Sequence, residues 1–459
     1  MTCKRIYIIR NSIAQTTITC HCAKQYRCSI NLNKLANFHQ CLPQFADFDL
    51  DLESHSDKPF RPWPSDNNDG HGLSVMMEKP FNQSLRTVTF PAEVTSIRFS
   101  IESRFNQLIE PGDLPEGITS LSLNFCYNQP IKPGSLPRSI TYIYFGNKFD
   151  YPLEHGLLPP HLRELRLGLQ YEQQIYPGQL PSSLTTLYYN GNLQHQLIPG
   201  ALPSSLIYLR LDQINGHPLI PDTLPRSLVE LVFGSSFNSH IMPGALPSGL
   251  CSLKFGYLFN RPIQQGVLPE SLTRLKFGHQ FNQPLVPGTL PKSLQTLELG
   301  SMFDRSLVLP HSLIHLSLGS EFQQTLTSKM IPSSLTSLRY ANNISELITM
   351  DTFKHCRIQN LRMDLDTPEA PGMLDKSMFG GHVQTLTMKW HHDLQDAIRQ
   401  YMDCSGGITN CYLKSLKSMI RRLDDQQHYI VINNQYGLYI LDHDTLLNNA
   451  RTIFKPIDD

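Results

Sequence analysis

The stretch Phe281–Gly300, FNQPLVPGTLPKSLQTLELG, places three prolines and two glycines in twenty residues and closes on evenly spaced leucines. Proline lacks an N–H and fixes φ, so this composition excludes a helix interior. Leu297 and Leu299 are two apart and share one face of a strand, leaving Thr296 and Glu298 on the other. The same text returns along the chain. Leu-Pro recurs at Leu114, Leu136, Leu158, Leu180, Leu202, Leu224, Leu246, Leu268 and Leu290, a period of 22 residues. The register then steps by 19 residues to Leu309-Pro310 and resumes at Ile331-Pro332, while Phe90-Pro91 lies 24 residues ahead of the first copy. These departures read as an insertion near Ser103 and the loss of a Pro-Gly turn before Leu309.

Nine residues ahead of each Leu-Pro stands an aromatic or apolar residue followed by a polar one, as in Phe105-Asn106, Tyr127-Asn128, Phe149-Asp150, Phe237-Asn238, Phe259-Asn260 and Phe281-Asn282, with a lapse at Asn215. Behind each comes Leu-x-x-Leu-x-Leu or its equivalent, still legible at Ile358, Leu361 and Met363 and at Val383, Leu386 and Met388. A period of about 20–29 residues with that core is the signature of a solenoid with one short strand per coil. The expected fold is therefore a β-rich repeat solenoid of 22-residue coils, each with one short parallel strand and a Pro-Gly turn. Its return side should be extended or 3₁₀. The repeated apolar residues are core, because a single coil cannot bury its own apolar face. The repeated Asn is expected to be a buried amide that bonds to backbone groups and stacks into a ladder.

Phe-Asn-Gln-Pro-Leu together with Pro-Gly-x-Leu-Pro-x-Ser-Leu resembles the FNIP repeat, a leucine-rich-repeat-like family of social amoebae and of giant viruses of amoebae. The resemblance covers residues 81–340 and implies a leucine-rich-repeat-like solenoid used as an interaction module. Many such proteins carry an F-box ahead of the repeats and resemble ubiquitin-ligase substrate receptors. Residues 1–80 contain Leu42-Pro43 but lack the helical run of spaced hydrophobics that an F-box would show. Substrate recognition for ubiquitin ligation therefore stands as the alternative to a plain protein-interaction module.

Binding is expected at strand positions that face away from the core. One series reads Ser96, Ser120, Tyr142, Glu164, Thr186, Tyr208, Glu230, Ser252, Arg274, Thr296, His315 and Ser337. The other reads Arg98, Ser122, Tyr144, Arg166, Tyr188, Arg210, Val232, Lys254, Lys276, Glu298, Ser317 and Arg339. Its cations outnumber its one acid, and Tyr and Arg are the residue types that dominate binding hot spots. Across the two series, Tyr142, Tyr144, Arg166, Tyr188, Tyr208 and Arg210 form the densest part of the expected ligand surface, suited to a protein or peptide of acidic character. Two other readings stay open: tyrosine and long cations also suit a strand surface with no ligand, and a basic stripe with aromatics suits single-stranded nucleic acid.

The rest of the chain bounds the function further. Across 459 residues the formal net charge is zero, so no global field recruits nucleic acid or an anionic membrane. No run of about 18 apolar residues is present. Ten cysteines are scattered, five of them before residue 42, and read as free thiols of a reducing, cytoplasmic compartment. Cys20, Cys22 and Cys28 with His21 lack the second knuckle of a zinc site. His391-His392-Asp393 and Asp442-His443-Asp444 read as solvated surface. No nucleophile and base, paired carboxylates or phosphate loop is visible, so neither catalysis nor a cofactor is expected. The basic, acid-poor start (residues 1–46) has the composition of a mitochondrial transit peptide but no Arg-rich amphipathic helix. The expected organisation is an amino-terminal segment (1–80) whose residues 50–80 form a linker, a solenoid (81–340), degenerate coils (341–389) and an α+β cap (390–459). In that cap a helix begins at Leu394, a hairpin joins His428–Ile432 to Tyr436–Leu441, and a helix runs over Leu446–Phe454.

Overall fold

The computed structural model describes residues 73–77, 81–90, 93–100, 102–193, 195–214, 216–341 and 355–364, with shorter segments at 17–19, 29–31, 352–353, 385–389, 410–413, 418–422, 429–433 and 437–441. The chain divides into two compact units, residues 60–411 and residues 1–59 with 412–459. The first holds β3 (Leu73–Met77), β4 (Val94–Phe99), β5 (Ser120–Ser122), β6 (Tyr142–Tyr144), β7 (Glu164–Leu167), β8 (Thr186–Leu193), β9 (Tyr208–Ile214) and β10 (Glu230–Phe233). It continues with β11 (Ser252–Lys254), β12 (Arg274–Lys276), β13 (Thr296–Glu298), β14 (His315–Ser317), β15 (Ser337–Ala341), β16 (Asn360–Asp364) and β17 (Thr385–Lys389). Every consecutive pair from β3 to β17 is parallel.

The second unit holds β1 (Thr17–Thr19), antiparallel to β2 (Ser29–Asn31). It also holds an antiparallel meander of β19 (Ser418–Arg422), β20 (Tyr429–Asn433) and β21 (Gly437–Leu441). The expected hairpin is β20–β21. The strand β18 (Asn410–Leu413) completes the described elements. Both helices expected after residue 390, the Cys20–Cys28 cluster, and the His391 and His443 clusters lie outside the described residues. The stretch expected to be linker contributes β3, one strand ahead of the first complete repeat, with Val75 and Met77 buried.

The register follows from the leucines. Leu209, Leu231, Leu253, Leu275 and Leu297 are directly paired along the sheet and at most 1% exposed. Behind them the repeated aromatics stack as a spine, Phe237, Phe259, Phe281, Phe303 and Phe322, with centroids 5.7–6.4 Å apart and rings within 12° of parallel. Offset stacking of this kind adds roughly 0.5–1.5 kcal/mol per pair beyond burial.

The return carries no helix among the described residues except the single 3₁₀ turn Leu85–Thr87. Its corner glycines adopt positive φ, as at Gly288 (83°), where proline sets the preceding φ. A different constraint fixes the glycine after each strand. A Cβ on Gly300 would lie 1.7 Å from the Gly278 carbonyl oxygen, so the coils approach backbone to backbone at this corner.

Two side-chain ladders tie coil to coil. The N–H of Asn260 donates to Oδ1 of Asn238 (3.0 Å), and that of Asn282 to Oδ1 of Asn260 (3.0 Å). The same step recurs from Asn82 to Glu172 and from Asn282 through Asp304 to Gln323. The expected ladder thus exists, but its members are half-buried or exposed rather than buried. Each acceptor needs only one face inward, which is why Asp serves as well as Asn. The serine of Leu-Pro-x-Ser-Leu forms a second ladder, its hydroxyl donating to a carbonyl of the preceding coil, as from Ser183 to Leu162 (2.7 Å) and from Ser293 to Leu272 (2.8 Å).

Candidate partner-binding surface

The strand face opposite the leucine core carries both expected series in the expected register. Tyr142, Glu164, Thr186 and Tyr208 pair in one row, and Tyr144, Arg166, Tyr188 and Arg210 in the next. All six candidate residues are half-buried. Further along, Val232 (7% exposed) and Ser252 (9%) are covered, so at those two positions the expected outward stripe is interrupted.

The second row alternates ring and cation, and the geometry uses that alternation. The Arg166 guanidinium carbon lies 4.3 Å from the Tyr188 centroid and 5.6 Å from that of Tyr142. Tyr188 and Tyr208 are tilted neighbours at 5.1 Å. The Tyr144 hydroxyl donates to Oδ1 of Asn147 (2.9 Å). Each arginine has an acid two residues away on its own strand: Arg166 Nε to Glu164 Oε1 at 2.7 Å, and Arg210 Nε to Asp212 Oδ1 at 2.8 Å. Lys276 pairs with Glu298 on the next coil. The excess of cations counted in the sequence is thereby partly neutralised, and the rings dominate the patch.

The electrostatics keep the rings neutral and the guanidinium charged. Partial burial raises the Tyr142 and Tyr144 hydroxyl pKa values, opposed by the nearby Arg166 charge. Tyr208 is pushed up to about 12, by burial first and then by Tyr188. Burial opposes the Arg166 charge, but the bond to Glu164 and the neighbouring rings outweigh it, so its pKa rises.

The repeat breaks its own pattern at this patch. Where most coils place glycine after the strand, β8 continues through Asn190 and β9 through Asp212. The two strands run on to Leu193 and Ile214, with a register shift between Tyr189 and Asn192. The repeated aromatic also lapses here in the sequence, where Leu193 and Asn215 stand at its position. Asp212, missed as a functional candidate, is the residue that clamps Arg210. Its signal in the sequence was the lost glycine.

Among the described residues no three His, Cys, Asp or Glu side chains converge as metal ligands would. No described helix is long and apolar enough to cross a membrane.

The family model of the FNIP repeat matches residues 81–126, 127–170, 171–213, 215–258, 259–302 and 303–339, more than half of the 459-residue chain. Among solved structures the chain is similar to the crystal structure of the giant-virus protein CroV588, described as a novel circular LRR protein structure. The identity is 31% and the TM-score 0.59, over 70% of this chain and 50% of that one. The chain thus spans half the length of that protein. No protein of curated function matches the chain.

Proposed function

The chain belongs to the FNIP-repeat family, and from that premise we propose that it is a non-catalytic interaction module that grips a protein or peptide with Tyr142, Tyr144, Arg166, Tyr188, Tyr208 and Arg210. A leucine-rich-repeat-like solenoid is a typical scaffold for such binding, but fold alone names no partner. The observation that carries the choice of site is the coincidence at β8 and β9. The coils that give up the corner glycine and the spine aromatic are those that bear Tyr188, Tyr208 and Arg210. Local departures from a repeat's own rule are where function is expected.

The cluster suits a partner with one carboxylate set among apolar groups. Glu164 engages the Nε atom of Arg166, and the rings of Tyr142 and Tyr188 flank the guanidinium. A planar guanidinium fixed in this way presents its terminal nitrogens for paired hydrogen bonds to a carboxylate. The rings supply the desolvated apolar surround in which such a bond gains strength. Affinity capture with the full chain, compared with a variant in which Tyr144, Arg166, Tyr188 and Arg210 are all replaced by Ala, tests this. Loss of the captured protein with the fold intact supports the assignment; unchanged capture refutes it.

A further inference from the structure

The strand face carries a second group of charges beyond the aromatic cluster. Lys254 on β11 and Lys276 on β12 are directly paired, and Arg274 stands two residues before Lys276 on its strand. Lys276 pairs with Glu298, whereas among the described residues no ion pair or side-chain hydrogen bond holds Lys254 or Arg274, both of them exposed. Glu230 lies on β10, one strand before Lys254, and makes no ion pair among the described residues. Arg339 and Arg362 are a directly paired couple further along, but each engages another group. Like charges directly opposite each other on neighbouring strands destabilise a sheet. Glu298 relieves that repulsion on the Lys276 side alone.

Between the two clusters the face turns apolar. Ile207 (48% exposed) and Val229 (39%) stand just before β9 and β10, joined by the Val229 N–H donating to the Ile207 carbonyl (2.9 Å). Thr119, Thr141, Thr185 and Thr273 hold this position in other coils, where each hydroxyl donates to a carbonyl of the preceding coil. Ile207 and Val229 forgo that bond and expose apolar side chains instead, beside Tyr208. In the row of cations itself Val232 separates Arg210 from Lys254. An exposed apolar step rimmed by polar groups is a mark of an interaction surface.

Building on the assignment of the aromatic cluster as a carboxylate site, we propose that its partner is an acidic polypeptide segment lying extended across the strands. One carboxylate sits at Arg166, apolar side chains cover Ile207 and Val229, and a second acidic group sits among Lys254, Arg274 and Lys276. Four strand steps separate Arg166 on β7 from Lys254 on β11, about 19 Å at ~4.8 Å per step, which an extended chain covers in about six residues. A polynucleotide fits less well. The carboxylates of Glu164, Asp212, Glu230 and Glu298 are interspersed among the cations, so the face suits acids placed at intervals rather than a phosphate at every step.

Fluorescence anisotropy of the full chain, at constant ionic strength, with a labelled synthetic peptide carrying two aspartates about six residues apart and leucines between them tests the proposal. This peptide should bind saturably, and about tenfold more tightly than the same peptide with either aspartate replaced by asparagine. Lys254→Gln and Arg274→Gln together should reduce its affinity to that of the one-aspartate peptides. The same pair of substitutions should raise the urea midpoint, because it removes the like-charge pairing. A lowered midpoint with weaker binding would show a structural role and overturn the proposal. So would equal binding of the one- and two-aspartate peptides, no saturable binding of the two-aspartate peptide, or tighter binding of a labelled single-stranded oligonucleotide. Full two-aspartate affinity in the quadruple Tyr144, Arg166, Tyr188 and Arg210 variant overturns the aromatic site and the proposal with it, whereas full affinity in the Lys254 and Arg274 variant overturns the proposal alone. Circular dichroism of each variant establishes that it is folded.

Discussion

The guanidinium of Arg166 lies 4.3 Å from the ring centroid of Tyr188, its direct neighbour on the next coil. The contact joins two coils through side chains on the solvent face, where the leucine core already fixes the register. Its contribution to stability should be small, and its value lies in holding a charged group in one orientation.

A double-mutant cycle on Arg166→Ala and Tyr188→Ala should therefore give a coupling energy of only about 0.5–1 kcal/mol in denaturant unfolding. Arg166→Lys should weaken partner capture while leaving the unfolding midpoint within a degree or two, because an ammonium cannot reproduce the planar, bidentate face. Retention of full capture by the lysine variant would rule out guanidinium recognition.

Most of the fold was legible because two periods coincide in the sequence. The 22-residue spacing of Leu-Pro aligned every coil, and the two-residue spacing of pairs such as Leu297 and Leu299 fixed which way each strand faces. Together these determine the pairing of Tyr144 with Arg166 and of Arg166 with Tyr188. Side-chain partners were less legible. Glu164 and Asp212 neutralise Arg166 and Arg210 through rotamer choices that no periodicity encodes. β3 was missed because Leu73–Met77 follows a polar, proline-rich stretch and lacks a Leu-Pro of its own; pairing with β4 supplies what its local sequence does not.

Asn260 accepts from the Asn282 N–H and from Gln283 Nε2, both at 3.0 Å. Asn260→Ala leaves the Asn282 donor without its partner at a half-buried position, at a cost of about 1–2 kcal/mol. Asn260→Asp keeps the acceptor and should fall within about 0.5 kcal/mol of wild type at neutral pH, since Asp150 and Asp304 occupy the same rung naturally. Urea unfolding of the two variants separates hydrogen bonding from side-chain volume; equal stability of all three proteins would remove the ladder from the energetics.

Gly300 is constrained by its neighbour rather than by its φ. A Cβ there would lie 1.7 Å from the carbonyl oxygen and 2.7 Å from the carbonyl carbon of Gly278, and backbone cannot yield as a side-chain tip can. Gly300→Ala should thus destabilise by more than about 3 kcal/mol, among the large effects expected of overpacking. A thermal midpoint close to wild type would show that the coils can part at this corner.

Asp222 is the non-glycine residue with positive φ (64°) among the described residues, at a Pro-Gly corner written Pro221-Asp222. The left-handed region costs an L-residue roughly 1–2 kcal/mol, while glycine loses about 0.5–1 kcal/mol more backbone entropy on folding. The balance predicts that Asp222→Gly stabilises by up to about 1 kcal/mol. Calorimetry should show a raised midpoint, and a lowered one would mean that the Asp222 side chain contributes contacts that outweigh its backbone strain.

The buried tyrosines make the solenoid sensitive to alkali. Burial raises the pKa values of Tyr127, Tyr171, Tyr189 and Tyr340 well beyond the ordinary value of 10.0. Below pH 10 each hydroxyl is protonated whether the chain is folded or not, so the contribution to stability is full. Above pH 10 the unfolded chain releases these protons while the folded chain retains them, and stability falls with rising pH. Each such tyrosine contributes a slope of about 1.4 kcal/mol per pH unit. Four acting together should unfold the protein cooperatively within one or two units above pH 10, with tyrosinate absorbance at 295 nm appearing in step with loss of the strand signal. Replacing Tyr127 and Tyr171 by Phe, the residue that Phe149 and Phe281 supply at the same rung, should halve that slope. Tyrosinate absorbance rising well before the strand signal falls would show instead that these hydroxyls reach solvent in the folded state.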